Sequence, residues 1–268
     1  MDLSEIRELW RHPINDEAAN IAAWDALAQY YGCSPLPEWG ADPFLVQIER
    51  EVPLTKDVAV LDIGCGQGAH SIVLAQRVGD VVGVDLSPVM IERAKAKANE
   101  CGLKNVSFLC GDFRNVAIER QFDLVFAHMT PAVADAAALE KMLSLAKGYC
   151  YLVKPVRRDD PVLEALYGVA GCRPQPNGFD QGMLFAFAML WQQGYLPSLS
   201  YRPDVWDMEW SLEQAKEWYL NRFLAHHPLD EAKRTRVVAY LKGIAVNGKV
   251  KEVVHTTIAT MSWRMSRG

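Results

Sequence analysis

The chain has 268 residues, half of them hydrophobic and 23% charged, with no low-complexity tract and no internal repeat. That suffices for one large α/β domain, or a domain with a lid, around a sizeable core. Net charge is −5, which argues against a duplex nucleic-acid partner, because phosphate binding wants a basic face.

Met1 to Arg11 carries Asp2, Glu5, Arg7 and Glu8, without a basic stretch followed by an apolar one, so no secretory leader is expected there. Asp16 to about Tyr31 has helical spacing of Ala18, Ile21, Ala22, Asp25 and Ala28, with Asn15 or Asp16 as cap, and Gly32 with Pro35 and Pro37 ends it. Pro43 to Glu51 is predicted as a second helix, with Asp42 as N-cap and Pro43 at the first helical position.

A regular alternation follows. Val58 to Ile63 is an apolar run broken only by Asp62, and a glycine-rich stretch Gly64-Cys65-Gly66-Gln67-Gly68 comes next. Ala69 to Val78 is predicted as a helix, Val81 to Val84 as a strand ending in Asp85, and the helix opened by Ser87-Pro88 closes at Gly102. Val106 to Cys110 and Phe122 to Ala127 are predicted strands, Ala132 to Ala146 a helix and Tyr149 to Val153 a fifth strand. Short apolar strands alternating with helices imply βαβ units, hence a doubly wound, mostly parallel sheet with helices on both faces. Such a sheet binds ligands beyond the carboxyl ends of its strands.

After Pro155 the rhythm changes. Arg157 to Asp160 is a polar run, and Pro174 to Gly178 reads as a loop. Helices are predicted over Gly182–Gln193, Leu212–Leu224 and Leu229–Ile244, and strands over Tyr195–Met208 and Val250–Ser262. The apolar stretch Met183–Trp191 is too short to span a bilayer, which needs about 20 residues. Residues 214–268 hold ten Lys and Arg against four acids, a net +6 that leaves −11 for the rest; this reads as a solvated helix face. The six cysteines form no C-x-x-C pair, which favours reduced thiols in a cytosol over disulfides or zinc. His226-His227 are adjacent, so they do not share a helix face and make no metal site. The aromatic residues Trp191, Tyr195, Tyr201, Trp206, Trp210, Trp218, Tyr219 and Phe223 are expected mostly in the core, a minority walling a pocket.

The glycine-rich stretch alone also satisfies the looser dinucleotide fingerprint, since glycines let backbone approach a ligand and a helix N-terminus offers free N–H groups. The acids around it discriminate. Val60-Leu61-Asp62-Ile63-Gly64-Cys65-Gly66-Gln67-Gly68, then Asp85 ending the next strand, then Gly111-Asp112-Phe113, then Phe122-Asp123-Leu124-Val125-Phe126 occur in that order over residues 58–154. The chain thereby resembles the class I, Rossmann-like S-adenosylmethionine-dependent methyltransferases. It departs from many of them in having Ala146-Lys147-Gly148-Tyr149 where they carry a Pro-Gly-Gly turn.

The resemblance implies a seven-stranded sheet, an N-terminal helical lid over residues 1–52, and a methyltransferase domain over 53–268 with helical insertions at about 156–195 and 211–247. It implies S-adenosylmethionine as cofactor, held around Asp62, Gly64, Cys65, Gly66, Gly68, Asp85, Leu86, Asp112, Phe113 and His128. Asp85 would accept both ribose hydroxyls and, at an open crevice, would have no buried partner of its own. Asp112 would accept from the adenine amino group with Phe113 flanking the ring, and Asp62 would help hold the methionine ammonium. His128, in His128-Met129-Thr130-Pro131, is a candidate general base of near-neutral pKa. Tyr31, beside Trp24 and Tyr30 on the lid, is a second candidate catalytic residue. The expected reaction is methyl transfer to a small molecule by a cytoplasmic monomer or homodimer, without nucleic acid, membrane or metal. An NAD-dependent oxidoreductase and a non-catalytic S-adenosylmethionine-binding protein remain the alternatives.

Overall fold

The computed structural model describes residues 2–11, 16–31, 35–172 and 181–266, with the backbone only for Gln29, Tyr30 and Tyr31. In chain order the elements are α1 (Leu3–Leu9), α2 (Glu17–Tyr31), α3 (Pro43–Glu51), β1 (Ala59–Ile63), α4 (Ala69–Ala75), β2 (Asp80–Asp85), α5 (Pro88–Glu100), β3 (Val106–Cys110), β4 (Phe122–His128), α6 (Ala136–Leu145), β5 (Ala146–Asp159), α7 (Pro161–Ala170), α8 (Gln181–Gln192), β6 (Ser198–Ser211), α9 (Leu212–His226), α10 (Glu231–Ile244) and β7 (Lys249–Arg264). Local chemistry sets many of these starts. The Asp42 carboxylate accepts from the N–H groups of Phe44 and Leu45, Ser87 accepts from Met90 N–H, and Ser211 closes a capping box with Gln214.

The sheet order is β3-β2-β1-β4-β5-β7-β6. β1 to β5 run parallel, and β7 lies antiparallel between β5 and β6. Leu61, Ile63, Val82, Val84, Val125 and Leu152 bury one face under α1, α6 and α8, while Val60, Val81, Leu124, Phe126 and Val153 bury the other under α3 and α4. Apolar residues on both strand faces are what a doubly covered parallel sheet requires.

β5, β6 and β7 run well past the other strands. A bulge between Pro155 and Arg157 lets β5 continue beyond its proline, so the polar run Arg157–Asp159 belongs to the strand, which the sequence pattern ends at Val153. On this extension sits a second core: Ala23 and Leu27 of α2, Leu166 and Tyr167 of α7, Trp218, Tyr219 and Phe223 of α9, and Val237 and Leu241 of α10, over Trp210, Val250 and Val254. The three N-terminal helices therefore go to three places. α1 and α3 cover opposite sheet faces, and α2 joins the capping helices.

The cap buries charge. Glu252 is 5% exposed and accepts from Tyr219 Oη (2.5 Å) and Val162 N–H (2.8 Å); Asp160 forms an ion pair with Arg158 (2.8 Å) and accepts from Arg222 (3.3 Å). Burial, aided by Asp160, raises the Glu252 carboxyl to about 7. A raised folded-state pKa contributes stability in full below the unfolded value and loses it as pH rises through 7. Thermal melts should therefore show wild type losing about 1.4 kcal/mol relative to Glu252→Gln between pH 6 and pH 9. Parallel pH profiles of the two proteins would assign the titration elsewhere.

Candidate functional site

The glycine-rich turn joins β1 to α4. Gly64, Gly66 and Gly68 have φ of +69°, +53° and +76°, a region that favours glycine. They differ in surroundings. A Cβ on Gly64 would lie 2.0 Å from Thr130 Oγ1, and one on Gly68 would meet the Phe108 ring at 2.8 Å. On Gly66 it would meet only Met90 Sδ, at 3.9 Å. Backbone is thus left bare toward open space at one position, the cradle a close-lying ligand needs. Cys65 and Leu86 are half-buried beside this turn and after β2 respectively. Across the turn, Met129 takes a positive φ (+54°) in the loop after β4, uncommon for a bulky side chain and a feature that clusters at functional sites.

Asp85 ends β2, half-buried, and it does have partners. Its Oδ2 accepts from Gly66 N–H (2.8 Å) and its Oδ1 from Ser87 N–H (2.9 Å). Burial raises its pKa against those two hydrogen bonds, with Asp25 adding to the rise. The carboxylate is a structural strut as well as a candidate acceptor, which corrects the expectation of a partnerless Asp85.

Three further expected cofactor residues have protein surroundings of their own. Asp62 is 3% exposed and accepts from Ser71 Oγ (2.6 Å), burial raising it to about 6, so it braces the start of α4 from within the core. Phe113 is 2% exposed and packs in the apolar core. Asp112 is held by Arg114, whose Nε lies 2.9 Å from Oδ2 and whose backbone N–H donates to Oδ1 (2.9 Å), leaving that carboxylate already engaged.

α2 runs over the ends of β2 and β3. Glu17 accepts from Arg114 (3.3 Å), Asp25 bonds Ser87 Oγ, and the Ala28 carbonyl accepts from Arg93. Tyr30 and Tyr31 end this helix; the Tyr31 side chain lies outside the described residues.

His128 ends β4 in a setting the sequence did not reveal. Its ring stacks on Phe44 (4.5 Å between centroids) and lies 4.4 Å from that of His70, while His70 Nε2 is 3.6 Å from Asp42 Oδ1. Burial, then His70, pushes His128 well below its ordinary pKa, contrary to the expected near-neutral base. Asp42 is held at about 2 despite its burial, by His70 and the Leu45 N–H. Asp42, Phe44 and His128 line a cavity of about 470 Å³ walled by α3, with Tyr201 and Arg202 of β6. Asp42 and His70 were missed as site residues; the visible signal was their position at the first turns of α3 and α4, where helix N-termini meet the crevice. Of the tail aromatics, Tyr195, Trp210, Trp218, Tyr219 and Phe223 are core, whereas Tyr201 walls the cavity. Among the described residues, no group of three or more His, Cys, Asp or Glu is placed to hold a metal ion. No helix among them is long and apolar enough to cross a membrane.

The sheet order, the bare glycine turn and the acid facing it define a ligand-binding α/β protein of the Rossmann-like class. Residues 54–168 match the methyltransferase domain family. Aklanonic acid methyltransferase of Streptomyces sp. strain C5 is 40% identical over 93 residues, 32% of this chain and 42% of that protein. Nocamycin O-methyltransferase of Saccharothrix syringae is 35% identical over 124 residues, 45% of this chain and 40% of that protein. The chain thus aligns with less than half the length of either relative. Magnesium protoporphyrin IX methyltransferase from Synechocystis PCC 6803, solved with S-adenosylhomocysteine, shares the fold at a TM-score of 0.53 and 17% identity, over 98% of this chain and 100% of that one. Over residues 54–168 the chain is thus similar to a methyltransferase domain.

Proposed function

We propose that this chain transfers a methyl group from S-adenosylmethionine to a small organic molecule held between the sheet and the capping helices. The observation that carries the reading is the pairing of Gly66, bare toward open space, with the Asp85 carboxylate fixed opposite it. The residues fit the cofactor. Asp85 keeps lone pairs beyond its two backbone bonds and so can accept ribose hydroxyls. Leu86 would pack on the adenine, and the Gly64–Gly68 backbone with Cys65 would line the cofactor. Asp112 can serve the adenine amino group only by sharing with Arg114.

The cofactor supplies a methyl group on a sulfonium, already activated. What remains for the protein is alignment and a dry site. α2, tied at Glu17, Asp25 and Ala28, is the element placed to act as a lid. His128, of low basicity, suits positioning better than deprotonation. Tyr31 stays a candidate beside it. The relatives named above are named for aklanonic acid and for O-methylation of nocamycin, in keeping with a small-molecule acceptor. The same reading takes the protein as a cytoplasmic monomer or homodimer acting without nucleic acid.

An acid at the end of β2 also suits the ribose of NAD, so calorimetry with S-adenosylmethionine, S-adenosylhomocysteine and NAD is the test. The expected result is micromolar binding of the first two and negligible binding of NAD. NAD binding tighter than either would overturn the proposal.

A further inference from the structure

Between its terminal glutamines, α8 is apolar on all sides. From Gln181 to Tyr201 the chain carries no Asp, Glu, Lys, Arg or His. Met183, Ala186, Met189 and Leu190 are buried in the core that α1 and α6 share. The other side carries Leu184, Phe187, Ala188 and Trp191, spaced i, i+3, i+4 and i+7, so they form one stripe. Leu184 is 65% exposed and Trp191 59%, and the Trp191 indole stacks on the half-buried Phe187 ring, 6.2 Å between centroids. A helix apolar all round is normally buried all round. Here one side lacks its cover, and no step of methyl transfer uses it.

The stripe fits a copy of itself. Two α8 helices meeting antiparallel about a two-fold axis set Leu184 opposite Trp191 and Phe187 opposite Ala188, each larger side chain facing a smaller one. The i, i+4 rows Leu184–Ala188 and Phe187–Trp191 are ridges of the kind that interdigitate when helices pack. A two-fold contact brings like surface against like, and this stripe holds no charge to be repelled by its image. A lipid surface fits worse. An interfacial helix carries basic residues on its polar face, and α8 has none in a chain of net charge −5. The 12-residue helix is about 18 Å long, too short to supply alone the roughly 800 Å² per partner of a standard interface. Leu9, next to Trp10 whose ring stacks on Phe185 of α8, is 65% exposed, as is Leu196 just past the helix. These leucines extend the apolar surface beyond the stripe.

We propose that the Leu184–Trp191 face of α8 is the centre of a homodimer, with two α8 helices packed antiparallel across the two-fold axis. Trp191 is its anchor, a residue type enriched where interfaces hold most of their binding energy. A contact at the small end of the range gives a dissociation constant on the order of 10 µM.

Sedimentation velocity of the full chain, at about 1 µM and about 200 µM, tests the arrangement. Wild type should pass from the mass of one chain to that of two. Leu184→Lys and Trp191→Glu should each remain monomeric at the higher concentration, a loss of at least about 30-fold. Their melting temperatures should stay within about 2 °C of wild type, because both side chains are exposed. An equimolar mixture of the two variants should dimerise again. In that mixed pair the introduced lysine meets the introduced glutamate at one contact, and Trp191 still meets Leu184 at the other. Wild type at the mass of one chain at about 200 µM would overturn the proposal. Dimers retained by both single variants, or no recovery in the mixture, would do the same. So would monomeric wild type that sediments with vesicles of phosphatidylcholine and phosphatidylglycerol, which would give the face to lipid. Should a charged variant not fold, Leu184→Gln and Trp191→Gln repeat the dissociation.

Discussion

Asp85→Ala is expected to weaken S-adenosylmethionine binding by about 30-fold to 1,000-fold and, in the same protein, to lower the ligand-free melting temperature. The first effect follows from losing a charged acceptor for two hydroxyls, worth roughly 2–4 kcal/mol when one carboxylate serves both. The second follows from the Gly66 and Ser87 N–H groups, which would lose their acceptor. About 2 kcal/mol is expected there, equivalent to roughly 4–8 °C in a chain of this size. Asp85→Asn keeps one carbonyl acceptor and removes the charge that opposes Asp25, so it should fall between on both measurements. Melting curves of the three proteins, with and without S-adenosylmethionine, separate the two effects: wild type should gain most from the ligand. If stability drops while affinity stays at the wild-type value, Asp85 is only a strut and the cofactor lies elsewhere.

Gly66→Val should abolish measurable cofactor binding, a loss of more than about 100-fold, while the chain still folds. A β-branched residue at φ +53° costs on the order of 1–3 kcal/mol, but its side chain would point into open space rather than into protein. The neighbouring glycines provide the contrast. Gly68→Ala would drive a methyl group into the Phe108 ring, and Gly64→Ala into Thr130, so both should lose stability before any question of ligand arises. Calorimetry on folded Gly66→Val is decisive, since retained affinity would mean that the bare face of the turn meets no ligand.

Much of this was legible in the sequence from residue 58 to residue 154. Parallel strands buried on both faces read as short apolar runs, and the helix starts at Pro43 and Pro88 follow from caps adjacent in the chain. Both signals are short-range, so no tertiary knowledge was needed to place β1 to β4, α3 and α5. The glycine turn was likewise visible, because three positions at positive φ call for glycine locally.

The rest was decided by contacts far apart in the chain. The direction in which Asp62 and Phe113 point depended on Ser71 and on the apolar core packed around the Phe113 ring, and both face inward. Asp112 looked free because the sequence does not say that Arg114 folds back on it rather than reaching out. His128 acquired its low basicity from burial and then from His70, on another element, while Phe44 of α3 stacks on its ring. Arg157 to Asp160 read only as a polar run beyond the fifth strand, because charge in a strand is unfavourable unless compensated. The compensating groups, Arg222 and Glu252, are 62 and 92 residues beyond Asp160. A local pattern can announce a strand, a cap or a glycine turn. Whether a charge may be buried depends on partners that only the folded chain brings within reach.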